Sequence, residues 1–148
     1  MLTSFFIIGV SAVLFGFWFR YTCSLILSTQ ASEDHTEQVA EANQLSFLTA
    51  RKELTEGSNV PLAQIRRRLD RDYQLLGCLL RNSSKRGNRE VSLEQAMLRA
   101  DFHGLKWWCR LSETVSSSAA RKALLEMTRI LAHLANCFGE EATPPARA

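Results

Sequence analysis

The chain has 148 residues, 46% of them hydrophobic and 22% charged, with a formal charge of +3. That length suits one small domain plus an anchor, and the net charge is too small to point to a partner by itself. The four cysteines, Cys23, Cys78, Cys109 and Cys137, are scattered and form no CxxC pair. They read as reduced, mostly buried small apolar residues, which fits a cytoplasmic location better than an exported one.

Residues 1–27 organise the rest. No charged side chain occurs from Met1 to Phe19, and Phe5, Phe6, Ile7, Ile8, Val10, Val13, Leu14, Phe15 and Phe17 make the stretch strongly apolar. As a helix, residues 2–19 rise about 27 Å, close to the roughly 30 Å of a bilayer's hydrocarbon core. An uncleaved transmembrane anchor is the expected reading. Two others compete with it. A signal peptide cleaved after Thr29-Gln30-Ala31 would want a basic start, and none precedes the run. A buried core helix would need a larger domain to cover so many aromatic rings. Trp18, Arg20 and Tyr21 form the expected membrane-interface belt, two amphipathic rings and a snorkelling cation. Arg20 is the basic residue nearest the span, so the positive-inside rule places the C-terminal remainder of the chain in the cytoplasm. Ala12 and Gly16 form a small-xxx-small pair at which two spans can approach.

Residues 28–57 are expected to form a membrane-proximal acidic helix, either continuous with the span or restarted at Ser32. Its segment 31–57 carries six acids against Arg51 and Lys52, a net −4, whereas 60–89 carries eight bases against Asp70 and Asp72, a net +6. Opposite signs in consecutive segments predict that the two pair with each other.

Residues 58–139 read as a helical bundle. Pro61 suits a first turn, and Leu62, Ile65, Leu69, Tyr73, Leu76 and Leu80 follow at spacings of three and four to about Arg81. Residues 82–88 (NSSKRGN) read as a basic loop. Ser92 and Gln95 form a capping box ahead of a helix with Leu93, Met97, Ala100, Gly104, Trp107 and Leu111 as its seam. Ser116 to Ser118 offer caps for a last helix, with Ala120, Leu124, Met127, Leu131, Leu134 and Phe138 in the same 4-3-4-3-4 order. Gly139 is the expected C-terminal cap, and residues 140–148 the expected disordered tail. No segment alternates with period two. The expected fold is all-α: a single N-terminal transmembrane helix followed by a small antiparallel bundle of three to four helices.

Gly104, inside a helix and on the seam, is expected at a close helix approach with Tyr73 or Met127 filling the space; a hinge or ligand notch is the alternative. Trp108 lies one position off that seam, at the core edge or exposed as a partner anchor. His35, His103 and His133 have no ligand at a recognised spacing, and no GxxxxGK[ST], GxGxxG, HExxH or GxSxG occurs. No metal, cofactor or catalytic residue is assigned. Arg66, Arg67, Arg71, Lys85, Arg86 and Arg89 are candidate contacts for lipid or a partner, set against a solvated face neutralised by the acidic helix. Nucleic acid is disfavoured because the cluster is short and lacks a binding motif.

In architecture the chain resembles small bacterial one-span proteins, which implies no residue-level role. The expected function is a non-catalytic, single-pass helical adaptor at the bacterial inner membrane. It would hold lipid through its anchor and bind a partner protein or itself; the alternative is peripheral binding of anionic lipid or nucleic acid through the basic helix and loop.

Overall fold

The computed structural model describes residues 1–28, 35–57, 59–87 and 93–142, with backbone alone at 84–87. The described residues are all-helical: α1 (Leu2–Ser28), α2 (Thr36–Ala42), α3 (Phe47–Thr55), α4 (Leu62–Gly87), α5 (Leu93–Val115) and α6 (Ser117–Ala142). The capping-box residue Ser92, the loop's Asn88 and Arg89, and residues 143–148 lie outside them.

α6 is the hub. α2, α3, α4 and α5 all pack on it, and α1 touches it with its C-terminal end. Neighbours on several sides explain why Ala120, Ala123, Leu124, Met127, Ile130, Leu131, Leu134 and Ala135 are all buried, a wider arc than one stripe. Ser116 separates α5 from α6, and its Oγ accepts a bond from the Ala119 N–H at 3.4 Å, capping α6.

Cross-links fix the directions. Arg66 pairs with Glu113, Asp70 accepts from Lys106 at 2.6 Å, and the Tyr73 ring stacks on Phe102 at 4.2 Å. Rising numbers on α4 meet falling numbers on α5, so the two are antiparallel. His35 N–H bonds to Asn136, Thr36 Oγ1 to the Ala132 carbonyl, and Arg121 to the Leu54 carbonyl, so α2 and α3 together run down α6.

Five expectations need correction. The acidic segment is not one helix: it breaks at residues 43–46, where Gln44 takes φ of 51°. The cause is a partner distant in sequence. Asp72, fully buried on α4, accepts from the Ser46 N–H at 2.7 Å and its hydroxyl at 3.0 Å, placing an anion at the start of α3. Only part of the expected acid–base pairing occurs between α3 and α4, through Glu53 and Arg68 at 3.2 Å; α2 and α3 lie mainly on α6.

Next, α4 does not stop at Arg81 but continues to Gly87 through the expected loop. Ser83 ties this last part down, its hydroxyl bonding to Leu80 O at 3.0 Å and Glu141 at 2.6 Å. Gly139 is no cap either: α6 continues to Ala142, and Gly139 is buried against His35 and Val39.

Finally, the buried face of α5 is Leu98, Asp101, Phe102, Leu105, Cys109 and Ser112. The expected seam is turned outward, and Gly104 faces open space with nothing near its missing Cβ. Two polar residues, Asp101 and Ser112, interrupt the true face and hide it from a hydrophobic count.

Asp72 makes a pH prediction. Burial raises its carboxyl above the ordinary range, against the opposing pull of the Ser46 donors and Arg71. Oδ1 has no hydrogen-bond donor among the described residues, and Arg71 Nε stands 3.9 Å away. The folded chain therefore holds this proton more tightly than the unfolded chain. That stabilisation is complete below the unfolded value of about 3.9 and fades as pH rises through the folded value. Asp72→Asn keeps an acceptor for Ser46 while removing the buried charge. Its unfolding midpoint should fall less between pH 4 and neutrality than the parent's, by urea titration at several pH values. Asp72→Ala should lose about 1 kcal/mol at low pH, because the acceptor for Ser46 is gone, and less toward neutrality, where removing the buried charge offsets part of that loss.

Candidate functional site

The function-bearing geometry begins where α1 meets the rest of the chain. From Leu2 to Trp18 every side chain is exposed, including Phe5, Phe6, Phe15 and Phe17. The helix is 27 residues, about 40 Å long, and it is long and apolar enough to cross a membrane. Contact with the rest starts at its other end, where Phe19, Ile26 and Leu27 pack against the core and Cys23 is fully buried.

Arg20 makes the junction specific. Its Nη1 reaches Asp101 Oδ1 at 2.8 Å and Oδ2 at 2.6 Å. The Asp101 side chain is 4% exposed and that of Arg20 44%. A carboxylate buried this deeply costs several kcal/mol unless paired, and Arg20 supplies the pair from one side of the junction. Trp18 and Tyr21 flank it and are exposed. The three residues expected at an interface are therefore together at the point where α1 leaves the helical body. Asp101 was not foreseen. Its only sequence signal was a charge one position off the expected α5 seam.

No protein-family model matches this chain, and none of the curated proteins or solved structures compared with it is significantly similar.

The basic residues of α4 separate into two sets. Arg66 and Arg68 turn inward to Glu113 and Glu53. Arg67 and Arg71 point outward, and with Gln74, Cys78 and Arg81 they form an exposed stripe at spacings of four and three. The side chains of Lys85 and Arg86, and all of Arg89, lie outside the described residues.

Trp108 is 52% exposed, and its neighbour Trp107, expected on the seam, is 64% exposed. Leu93, Leu111 and Val115 on the same helix are exposed as well. α5 thus has a second apolar face that the helical body leaves uncovered. Apolar residues on α5 outnumber one seam, and that surplus was the signal available in the sequence.

The thiols and imidazoles do not assemble into a nucleophilic or metal-binding set. Cys78 is exposed on α4, whereas Cys109 is buried on α5. Burial raises the Cys109 thiol, with Glu113 adding to the rise and Arg66 opposing it. Cys137 is pushed up to about 11, first by burial and then by Glu140, Glu141 and Glu94. Such thiols stay protonated and unreactive. His103 lies against Tyr73, its Nε2 at 3.4 Å from the phenol oxygen. Among the described residues no three His, Cys, Asp or Glu side chains gather as metal ligands.

A groove of about 500 Å³ lies between the end of α1, α2, α3 and α6, with Ser24, Arg51, Glu126, Arg129 and His133 in its lining. Burial lowers the His133 pKa, opposed by Glu94 and Glu140. Glu126 and Arg129 satisfy each other at 3.0 Å. One imidazole beside an internal ion pair makes no nucleophile–base arrangement.

Proposed function

We propose that this chain is a non-catalytic, single-span adaptor that holds a small antiparallel helical bundle against a bacterial inner membrane and presents it to a protein partner. The observation that carries the reading is the uncovered apolar length of α1, residues 2–18. Leaving its roughly ten large apolar side chains in water costs on the order of 20 kcal/mol, more than a domain's net stability. A bilayer removes that cost.

The Arg20–Asp101 pair supports a second part of the reading, that the bundle is clamped to its anchor. The cytoplasmic side follows from Arg20, because orientation is set by Lys and Arg flanking the span during insertion, before Asp101 has been made.

The partner surface in this reading is the outward stripe of α4. Arg67, Arg71 and Arg81 leave positive charge facing solvent, which suits an acidic protein surface. Around α5, at about 100° per residue, Phe102, Lys106 and Glu113 face α4 about 120° away from Asp101, which faces α1. α4 therefore stands away from the anchor, which favours a protein partner over lipid headgroups for these arginines.

Two measurements test the proposal. Membranes from cells expressing the chain should retain it through an alkaline carbonate wash, and a reporter fused after Ala148 should be active only in the cytoplasm. Release by the wash, or activity only outside, overturns the anchor or its orientation. For the adaptor role, detergent-purified chain should retain a bound protein or second copy that Arg67→Glu/Arg71→Glu releases; a lone monomer counts against it.

A further inference from the structure

We propose that the uncovered face of α5 lies in the membrane interface, so that the bundle rests on the bilayer through a helix parallel to its surface as well as through the span. This inference rests on the reading of α1 as a span.

The face is defined by angle. Taking Asp101 as zero and about 100° per residue, Trp107, Ala100, Leu93, Leu111, Gly104, Val115 and Trp108 fall between about 240° and 340°. All seven are exposed. The arc is continuous with the α1 junction: Trp108 and Gly104 stand next to the side of α5 that Asp101 turns to Arg20. Because α1 holds α6 and α5 only through its last turns, its apolar part leaves the bundle beside this arc. A bilayer that takes up residues 2–18 then reaches its headgroup level at Arg20, directly next to the uncovered face.

Charge and residue type agree. On the arc's outer border, between it and the side facing α4, sit Arg99, His103 and Arg110, at about 160° to 200°; the last two are exposed. An apolar arc rich in Trp and Leu, with bases along its outer border and the Arg20–Asp101 pair and the exposed Glu94 along the other, fits a helix buried about 5–10 Å into the headgroup boundary. Paired Trp side chains prefer that depth, with ring in hydrocarbon and N–H toward water. Gly104 and Ala100 at the centre leave the backbone free to sit close to the acyl surface. The side of α5 that faces α4 is about 170° from the arc's centre, so α4 itself stands on the side of α5 away from the membrane.

The test uses the full chain in vesicles of phosphatidylcholine and phosphatidylglycerol, with three single-tryptophan forms. W107F/W108F leaves Trp18, W18F/W108F leaves Trp107, and W18F/W107F leaves Trp108. All three positions are exposed, so phenylalanine leaves the packing unchanged; circular dichroism checks that helix content is kept. Lipids brominated near the headgroup end of their chains should quench the greater part of Trp107 and Trp108 emission, and lipids brominated near the chain terminus much less. Both emissions should shift to the blue and lose quenching by iodide.

If Trp18 is quenched by brominated lipid while Trp107 and Trp108 remain open to iodide, the span stands and this inference fails. Trp107 and Trp108 closed to iodide yet untouched by brominated lipid means protein covers the face, as in a second copy, and the inference again fails. Should Trp18 itself escape brominated lipid, the anchor reading falls and takes this one with it.

Discussion

Arg20→Gln is expected to destabilise the chain by about 2–3 kcal/mol and to loosen α1 from α5. Breaking a fully buried pair by removing one partner costs about 3–5 kcal/mol, because the remaining charge is stranded. Here the stranded group is Asp101, whose side chain is 4% exposed, and among the described residues Arg20 donates both of its side-chain hydrogen bonds. Arg20 itself is 44% exposed, so water already screens one side of the pair, which lowers the figure.

The two partners are not equivalent. Asp101→Asn removes the buried charge and leaves a guanidinium that can turn to water, so its cost should be smaller than that of Arg20→Gln. In the double variant the losses should not add, and the shortfall measures the coupling. Guanidinium titrations in detergent micelles, followed by helical ellipticity, give all four stabilities. Equal costs for the two single variants would mean that Asp101 is hydrated and that the clamp does not exist.

Gly139→Ala and Gly104→Ala are expected to act in opposite directions. A Cβ on Gly139 would overlap His35 Cβ and press on Val39 Cγ2 at 3.2 Å. His35 opens α2, so relief requires moving that helix off α6. Overpacking of this kind costs about 1–3 kcal/mol, while the better helix propensity of alanine returns at most about 1. Net destabilisation is expected, with loss of the His35–Asn136 bond. Gly104 has open space around it, so only propensity operates and Gly104→Ala should stabilise by up to about 1 kcal/mol. Thermal melts of both variants in the same micelles decide the matter. Destabilisation by Gly104→Ala alone would restore the seam-based placement of α5.

Those two glycines show where legibility ended. Gly104 falls on the expected α5 seam, which predicts a close approach, and Gly139 falls just past the α6 stripe, which predicts a cap. Gly104 instead faces open space, because α5 carries two apolar stripes and periodicity alone cannot choose between them, and Gly139 is the glycine held at a close approach. Leu98, Phe102, Leu105 and Cys109 are buried although Asp101 and Ser112 lie among them. What makes Asp101 tolerable inside is a guanidinium 81 positions earlier. Similarly, the break between α2 and α3 has no glycine or proline to mark it and depends on Asp72, 26 residues on.

The clean readings came where one dominant stripe existed. Ile65, Leu69, Leu76 and Leu80 of α4, and Ala120, Leu124, Met127, Leu131 and Leu134 of α6, are buried as their spacing predicts. Ser116 caps α6 within the stretch expected to do so.

By itself, then, the sequence determined what depends on neighbours within a few turns: that the described residues are helical, that α1 is long and apolar enough to cross a membrane, and which faces of α4 and α6 turn inward. Hydrophobic period and composition are local properties, and they suffice there. Only the tertiary structure decided which face of α5 is left outside, which arginines of α4 turn outward, and that Arg20 pairs with a buried Asp101. Each of those depends on a partner far along the chain, and burial of a polar group is favourable only when the fold brings that partner to it.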